Sequence, residues 1–180
     1  MSVLTLFVAA SSILTAQAPA PAADLMAKAQ ANAAKRGTHV MVIFHASWCG
    51  WCKKLDSFMA RPAYKKLFAD NYEIVHLDVL ENGDKKALEN PGGADVMKKY
   101  GGEGAGLPWI FITDKNGKKV IDSFRDGNPK QNIGCPWEPE EVKWFLTMFD
   151  KTKKQVSADD RRALEADLLK QKTEKVGGGS

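Results

Sequence analysis

The spacing of hydrophobic residues along the chain predicts alternating strands and helices. Residues 40–45 form an almost unbroken apolar run rich in β-branched side chains, as in a central strand buried on both faces. Residues 73–79 alternate between apolar and polar positions like a second strand. Residues 109–113 and 119–124 flank an Asp-Lys-Asn-Gly turn at 114–117, which predicts a hairpin of two antiparallel strands.

Helical spacing separates these strands and follows them. Asp24 is predicted to cap a first helix that ends at Gly37. A second helical pattern runs from the cysteine-containing segment through Leu55 to Phe68, and Pro62 is predicted to bend or divide it. The later helical segments are two short stretches within residues 81–100, a helix over 138–149, and a last helix that opens at Ser157 and carries the thin apolar stripe Leu164, Leu168 and Leu169. This last helix is predicted either to dock on the domain or to mediate self-association.

The order of these elements predicts an α/β fold with a mixed central sheet flanked by helices. The sheet starts with a β-α-β unit and finishes with a hairpin. A chain of 180 residues without an internal repeat fits one domain rather than two. The predicted organisation is a leader and N-terminal helix over 19–37, the domain over 38–150, and a linker, extra C-terminal helix and flexible tail over 151–180.

The N-terminus has the pattern of an export signal. Residues 3–14 form an apolar and small-residue run, and Ala16-Gln17-Ala18 places small residues where signal peptidases cleave. We predict a signal peptide over 1–18 that is cleaved near Ala18, followed by a flexible Ala/Pro leader up to Ala23; a short membrane anchor is the alternative. The run is shorter than the roughly 20 apolar residues that span a bilayer, so no stable membrane span is expected after cleavage. The predicted location is therefore secreted or periplasmic, where disulfides form.

Composition narrows the class of protein. Apolar residues make up 44% and charged residues 27% of the chain, which is typical of a folded domain and argues against disorder. The net charge of +4 is small and spread along the chain, so nucleic acid is not expected as a partner. The three cysteines are too few for a disulfide-stapled miniprotein, and an odd number cannot all pair within one molecule.

Two of these cysteines stand where chemistry is expected. Cys49 and Cys52 lie where the first predicted strand turns into a helix. At a helix N-terminus the free N–H groups and the helix dipole favour an anion, so we expect a lowered pKa for the Cys49 thiol. A thiolate is the nucleophile of disulfide exchange, and Cys52 can close a disulfide with Cys49 across a short loop. Trp48 and Trp51 place apolar faces around the pair, which suits an unfolded or peptide-like partner.

Two motifs in order carry a family resemblance. Trp-Cys-Gly-Trp-Cys-Lys after an apolar strand, followed by Gly-Leu-Pro-Trp before a hairpin, resembles the thioredoxin-like family, in its branch of exported thiol–disulfide oxidoreductases with an extended middle section. The resemblance covers residues 35–149. It implies the thioredoxin fold, Cys49 and Cys52 as the catalytic redox pair, and a cis Pro108 against the reactive cysteine. Because Pro108 has no N–H, the backbone of Leu107 is left free to pair with an extended substrate. The predicted substrate contacts are Trp48, Gly50, Trp51, Leu107 and Pro108.

The chain departs from the thioredoxin pattern in two places. Thioredoxins have a buried Asp six residues before the first cysteine and a Lys on the next strand, and here those positions hold Ile43 and His76. Because a histidine titrates near neutral pH, His76 is a candidate for handling the proton of Cys52; the alternative is a structural histidine. The Gly50-Trp51 insert replaces the Gly-Pro of thioredoxins, which changes the expected redox poise.

The sequence thus predicts an extracytoplasmic thiol–disulfide oxidoreductase acting on protein thiols or disulfides, with a role in cell redox homeostasis. No cofactor is expected, since the dithiol carries the two electrons, and a separate redox protein is expected to recharge it. One alternative is a redox-inert module that binds peptides or a partner on the same fold. Another is a metal-binding protein, although no metal is predicted: Cys49 and Cys52 would need about two more ligands, such as His45 and Cys135.

Cys135 is the third, unassigned thiol. It follows Gly134 and precedes Pro136 in a predicted loop. Three interpretations stay open for it: a buried apolar side chain, a link to another chain, or an accessory redox thiol. The glycine-rich run at 101–106 leads into Leu107-Pro108, and we predict a mobile segment beside the active site.

Overall fold

A four-stranded mixed sheet forms the centre of the part of the chain, residues 18–171, that the computed structural model describes. β1 (His39–His45) pairs in parallel with β2 (Tyr72–Asp78) and antiparallel with β3 (Trp109–Thr113), which pairs antiparallel with β4 (Lys119–Asp122). The strand order is β2-β1-β3-β4. The predicted β-α-β start and hairpin finish are confirmed.

Helices cover both faces of this sheet. Those flanking it are α1 (Ala22–Arg36), α2 (Gly50–Met59), α3 (Pro62–Asn71), α4 (Gly93–Lys99), α5 (Pro139–Thr152) and α6 (Ala158–Lys170). One core joins α1 and α4 to Val40, Val42 and Phe44 of β1, and the other joins α2, α3, α5 and α6 to Met41 and Ile43. Successive side chains of a strand point to opposite faces, so the apolar run of β1 supplies both cores. Within residues 18–171, no helix has the length and apolar character needed to cross a bilayer.

The first helix begins earlier than its sequence suggests. Its N-cap is Pro21, and Asp24 lies within the first turn, so the prediction of Asp24 as the cap is wrong. The backbone N–H of Ala22 donates to the Pro91 carbonyl at 2.8 Å, which satisfies one of the donors that a helix start leaves free. Ala22 is buried, so the flexible leader predicted up to Ala23 is shorter than expected. The helix ends at Gly37 as predicted, in the left-handed conformation with φ of 65°.

A proline separates the next two helices. α2 ends at Met59, and Pro62 occupies the first turn of α3, where its missing N–H costs no helical hydrogen bond. Pro62 therefore divides the predicted helix.

Of the predicted signal peptide, residues 1–17 lie outside the described residues.

In the extended middle of the chain, one helix packs on the same face of the sheet as α1. A 3₁₀ helix spans Gly83–Leu88, α4 follows, and residues 101–108 form neither helix nor strand. Gly102 lies so close to Trp109 that a Cβ there would stand 2.4 Å from the indole ring. The loop is thus fixed to the start of β3 at this glycine, while its predicted mobility stays a prediction.

The last helix docks on the domain, which was one of its two predicted roles. The Ser157 hydroxyl caps it by accepting the Asp160 N–H at 3.0 Å, as predicted. Leu164 and Leu168 are fully buried in the core shared with α2, α3 and α5, whereas Leu169 is exposed. The docked face of this helix therefore includes two of the three leucines of the stripe.

Candidate active site

The cysteine pair stands at the junction of β1 and α2. Cys49 and Cys52 are joined by a disulfide, with their Cα atoms 5.3 Å apart. Cys49 is the N-cap of α2, and its Sγ accepts the backbone N–H of Cys52 at 3.1 Å. The predicted position of Cys49 at a helix N-terminus is therefore confirmed. The first turn of α2 holds no acidic residue, so no carboxylate of that turn opposes the N–H groups and the helix dipole, which favour negative charge on this sulfur.

Leu107, the residue before Pro108, lies beside the disulfide. The peptide bond between the two residues is cis, as the resemblance implies. Leu107 packs against Ala46 and both cysteines. The Asn132 side chain holds this segment in place, since its Nδ2 donates to the carbonyls of Gly106 at 2.7 Å and of Pro108 at 3.0 Å. Sequence reasoning missed Asn132, because nothing in a polar loop indicates which carbonyls its amide will reach.

The two tryptophans next to the cysteines in the sequence make different contacts. Trp48 is 51% exposed, and its indole N–H donates to the Leu80 carbonyl at 2.8 Å. Trp51 stacks on Trp137 with ring centroids 6.2 Å apart and planes 11° apart. Gly50, the first residue of α2, has no atom within 4 Å of where a Cβ would stand, so no side chain crowds the disulfide there.

A groove adjoins the disulfide on the Trp51 side. Its volume is about 380 Å³. The lining residues that matter here are Trp51, Leu107, Pro108, Lys130, Cys135 and Trp137. The structure therefore brings three of the predicted substrate contacts to one groove, whereas Trp48 lies outside its lining. The groove is concave and mixed in character, since polar side chains such as Lys130 line it beside the aromatic rings, and Leu107-Pro108 forms one wall.

A buried carboxylate supports the turn that precedes Cys49. Glu81 is 3% exposed, and its carboxylate accepts hydrogen bonds from the backbone N–H and the hydroxyl of Ser47, the latter at 2.8 Å. These hydrogen bonds, the backbone one first, lower the pKa of Glu81. Sequence reasoning missed this contact as well, because Glu81 lies in a polar stretch before Asn82-Gly83 that carries no periodic signal.

His76 lies within a cluster of four titratable side chains on the α2 side of the sheet. Its Nε2 is 3.0 Å from an Asp56 carboxylate oxygen. His45 lies between Asp56 and Asp78, with Nδ1 3.8 Å from the first carboxylate and Nε2 3.4 Å from the second. Burial is the main cause that lowers the pKa of His45. Ile43, two residues earlier on the same face, is fully buried among apolar side chains.

The third cysteine is enclosed by protein. Cys135 is 4% exposed, and its Sγ lies 4.0 Å from the Gln171 side-chain oxygen. Burial raises the pKa of its thiol to about 12. Within residues 18–171, no three His, Cys, Asp or Glu side chains are arranged to hold a metal ion.

Comparison with known proteins agrees with this geometry. Residues 22–115, more than half of the chain, match a family model described as thioredoxin-like. The chain is 30% identical over 99 residues to a protein disulfide-isomerase of Hordeum vulgare, which covers 55% of this chain and 16% of the relative. It is likewise 30% identical over 94 residues to a probable protein disulfide-isomerase ER-60 of Schistosoma mansoni, again covering 16% of the relative. The chain thus spans about one sixth of the length of these curated relatives.

The fold is similar to that of a solved structure over most of its length. A disulphide isomerase from Xylella fastidiosa Temecula1 superposes with a TM-score of 0.52 at 17% identity. The superposition covers 90% of this chain and 99% of the other. The predicted α/β thioredoxin fold is confirmed, and α5 and α6 form its C-terminal part.

Proposed function

The chain belongs to the thioredoxin-like family, and from that premise we propose that it is a thiol–disulfide oxidoreductase that exchanges disulfides with protein substrates. One observation carries the proposal. The Cys49–Cys52 disulfide caps α2 at its N-terminus, with the cis Leu107-Pro108 segment packed against it. A disulfide whose first sulfur accepts a helix N–H can return to a dithiol with a stabilised thiolate, which is the group that exchange requires.

The exchange proceeds in two steps. In the reduced protein the Cys49 thiolate attacks one sulfur of a substrate disulfide, which forms a mixed disulfide and releases the other substrate sulfur as a thiolate. Cys52 then loses its proton and attacks Cys49 Sγ, so the mixed disulfide breaks and the Cys49–Cys52 disulfide forms. Two electrons pass to the substrate, and the same steps in reverse oxidise a dithiol. A separate redox protein restores the starting state, and no organic cofactor takes part.

The substrate is an extended polypeptide segment that lies along Leu107-Pro108. Pro108 has no N–H to occupy the neighbouring backbone, so a substrate strand can pair there and present its sulfur to Cys49. The groove that Trp51 and Trp137 line together accepts a substrate side chain beside the substrate cysteine. Trp48 is exposed and no side chain crowds Gly50, so both are accessible to the substrate.

The exchange is tested by thiol-dependent reduction of insulin. We expect the wild-type chain to accelerate the reaction and Cys49→Ser to abolish the acceleration, because the attacking sulfur is gone. Cys52→Ser should instead accumulate a mixed disulfide, which mass spectrometry detects. If Cys49→Ser reduces insulin at the wild-type rate, the proposed exchange is wrong. The remaining interpretation is then the redox-inert binding module, whose peptide affinity does not depend on the cysteines.

We further propose that this exchange takes place outside the cytoplasm. The support is the apolar run at 3–14 and the Ala16-Gln17-Ala18 pattern. Expression of the full chain in a bacterial host with a secretion pathway should yield a periplasmic product whose N-terminal residue, read by mass spectrometry, is Pro19. A product that retains Met1 and stays in the cytoplasm contradicts this location.

A further inference from the structure

Leu80 has a backbone conformation that leucine rarely adopts. Its φ is 56°, in the left-handed region, where the Cβ of a bulky side chain comes too close to the backbone carbonyl oxygen. Glycine has no Cβ and asparagine tolerates this conformation, so either would be less strained at this position. The Leu80 side chain is also 48% exposed, so much of its apolar surface gains nothing from burial. The stability of the fold therefore does not account for a leucine here.

The residues on either side hold Leu80 in this conformation. Val79 is buried, and its backbone N–H donates to the His45 carbonyl at 2.9 Å. Glu81 is buried as well, and its carboxylate accepts hydrogen bonds from the backbone N–H and the hydroxyl of Ser47. Backbone strain persists where the surrounding structure fixes the conformation, and it is concentrated at functional sites. The chain thus turns at Leu80 between two anchored neighbours, and the leucine side chain is left at the surface.

A hydrogen bond joins Leu80 to the residue before the reactive cysteine. The indole N–H of Trp48 donates to the Leu80 carbonyl at 2.8 Å, and Trp48 immediately precedes Cys49. Both apolar side chains are about half exposed, so they lie in one region of the surface, which we call the Trp48–Leu80 patch. The groove on the Trp51 side is lined by neither of them. The patch is therefore a second apolar surface next to Cys49, separate from that groove.

We propose that Leu80 is a specificity-determining residue that binds an apolar side chain of the substrate polypeptide next to the substrate cysteine. This proposal rests on the exchange activity proposed above and adds the class of substrate, namely segments in which an apolar residue flanks the cysteine. The Trp48–Leu80 patch exposes apolar surface to water in the unbound protein, and binding of such a segment removes that surface from water, which favours the complex. The strained turn keeps the leucine at the surface for this contact.

Two disulfide-linked peptide dimers, identical except that leucine or serine flanks the cysteine, test this preference. The reduced chain is mixed with each peptide over a range of concentrations, and acid quenching followed by mass spectrometry gives the rate of peptide thiol release, from which kcat and KM are obtained. A single apolar group in an apolar site changes kcat/KM by about 10-fold or more, so we expect the wild-type chain to favour the leucine peptide by about 10-fold.

Leu80→Asn removes the apolar contact and relieves the backbone strain. We expect it to reduce the preference for the leucine peptide by at least about threefold, mainly through a higher KM for that peptide. Its Tm should equal or exceed the wild-type value, because asparagine tolerates the left-handed conformation. Leu80→Met keeps an apolar side chain and should retain the preference. Leu169→Ala, which truncates an exposed leucine of α6, is the control and should change neither the preference nor Tm.

The outcomes distinguish this proposal from the exchange activity itself. If Leu80→Asn keeps the wild-type preference, slows both peptides by the same factor, or lowers Tm by several degrees, the substrate role of Leu80 is overturned. If the wild-type chain reduces neither peptide, the proposed exchange is wrong. The role of Leu80 is then decided by isothermal titration calorimetry of the oxidised chain with a leucine peptide that carries serine in place of cysteine. The affinity for this peptide should fall by at least about threefold in Leu80→Asn, and an unchanged affinity overturns the role.

Discussion

Cys49 and Cys135 are each 4% exposed, yet the fold gives the two sulfurs opposite environments. Cys49 caps a helix, and its sulfur accepts a backbone N–H at 3.1 Å. Cys135 lies in the loop before α5, where burial raises the pKa of its thiol to about 12. Glu141 and Asp56 act on Cys135 in the same direction, and only Lys54 opposes them.

The difference shows that exposure alone does not decide which thiol reacts. A thiol reacts as its anion, so its reactivity depends on whether the surroundings stabilise negative charge. The N–H groups at the start of α2 point toward the Cys49 sulfur. The Cys135 sulfur is instead surrounded by apolar side chains of the core around α5 and α6, with the Gln171 amide oxygen as its polar neighbour. One chain therefore holds both a reactive and an inert cysteine at equal burial.

The largest expected effect is in alkylation of the reduced chain. A thiol with the ordinary pKa of about 8.5 is about 3% thiolate at pH 7, and one with a pKa of about 12 is about 0.001%. We therefore expect iodoacetamide to modify Cys49 at least about a thousandfold faster than Cys135, as measured by peptide mass spectrometry over time. Comparable alkylation rates at Cys49 and Cys135 would contradict the inferred difference in reactivity between the two thiols. In urea, which unfolds the chain, the alkylation rates of Cys49 and Cys135 should become similar.

The packing of α6 that buries Cys135 can be weakened by a substitution away from the disulfide. Gln171, at the end of α6, contacts Cys135 and donates to the Pro136 carbonyl at 3.2 Å, and Leu168 anchors the helix in the same core. Leu→Ala in a core costs about 2–5 kcal/mol, so Leu168→Ala should raise Cys135 alkylation by about 30-fold or more through opening of α6. The exposed neighbour supplies the control: Leu169→Ala should leave the rate unchanged. An unchanged rate in Leu168→Ala would mean that another element protects this thiol.

Much of the environment of Cys49 could be predicted from sequence, whereas little of that of Cys135 could. Hydrophobic runs predict the strands, and a motif at a strand-to-helix junction places Cys49 at a helix start, because both depend on neighbours in the chain. The burial of Cys135 depends on Gln171, 36 residues later, at the end of α6. The apolar stripe of this helix did not decide between docking on the domain and self-association. Contacts of this kind depend on tertiary packing rather than on local pattern.

The same limit applies to the polar groups around the disulfide. His76 could be singled out from its strand position, but His45 and Asp56 acquire meaning only when β1, β2 and α2 are packed together. Asp24 shows the reverse error. Its residue type favours a cap, yet the helix begins three residues earlier, where the Ala22 N–H finds a tertiary partner.

The surroundings of Cys49 can be weakened through Glu81. Its folded-state pKa is lowered, so the stability that its charge contributes is present above the unfolded pKa and is lost as pH falls through the folded value. We expect Glu81→Gln to lower Tm by a few degrees at pH 7 and by progressively less toward pH 3, as measured by circular dichroism. Glu103→Gln, which alters an exposed ion pair with Lys98, is the control and should shift Tm little at any pH. A Tm difference that stays constant with pH would show that the charge of Glu81 is not what supports the turn before Cys49.

The smallest effect is expected from removing the inert thiol itself. Cys135→Ala deletes one buried heavy atom, so we expect a loss of about 1 kcal/mol in the free energy of unfolding, measured in urea. Insulin reduction should stay within about twofold of the wild-type rate, because at neutral pH almost none of this thiol is ionised and able to attack a mixed disulfide on Cys49.

The result also separates the three interpretations of Cys135. An accessory redox thiol would slow exchange on substitution, and a link to another chain would remove a covalent dimer seen without reductant. A buried apolar side chain changes only the stability, and that outcome follows from the environment that distinguishes Cys135 from Cys49.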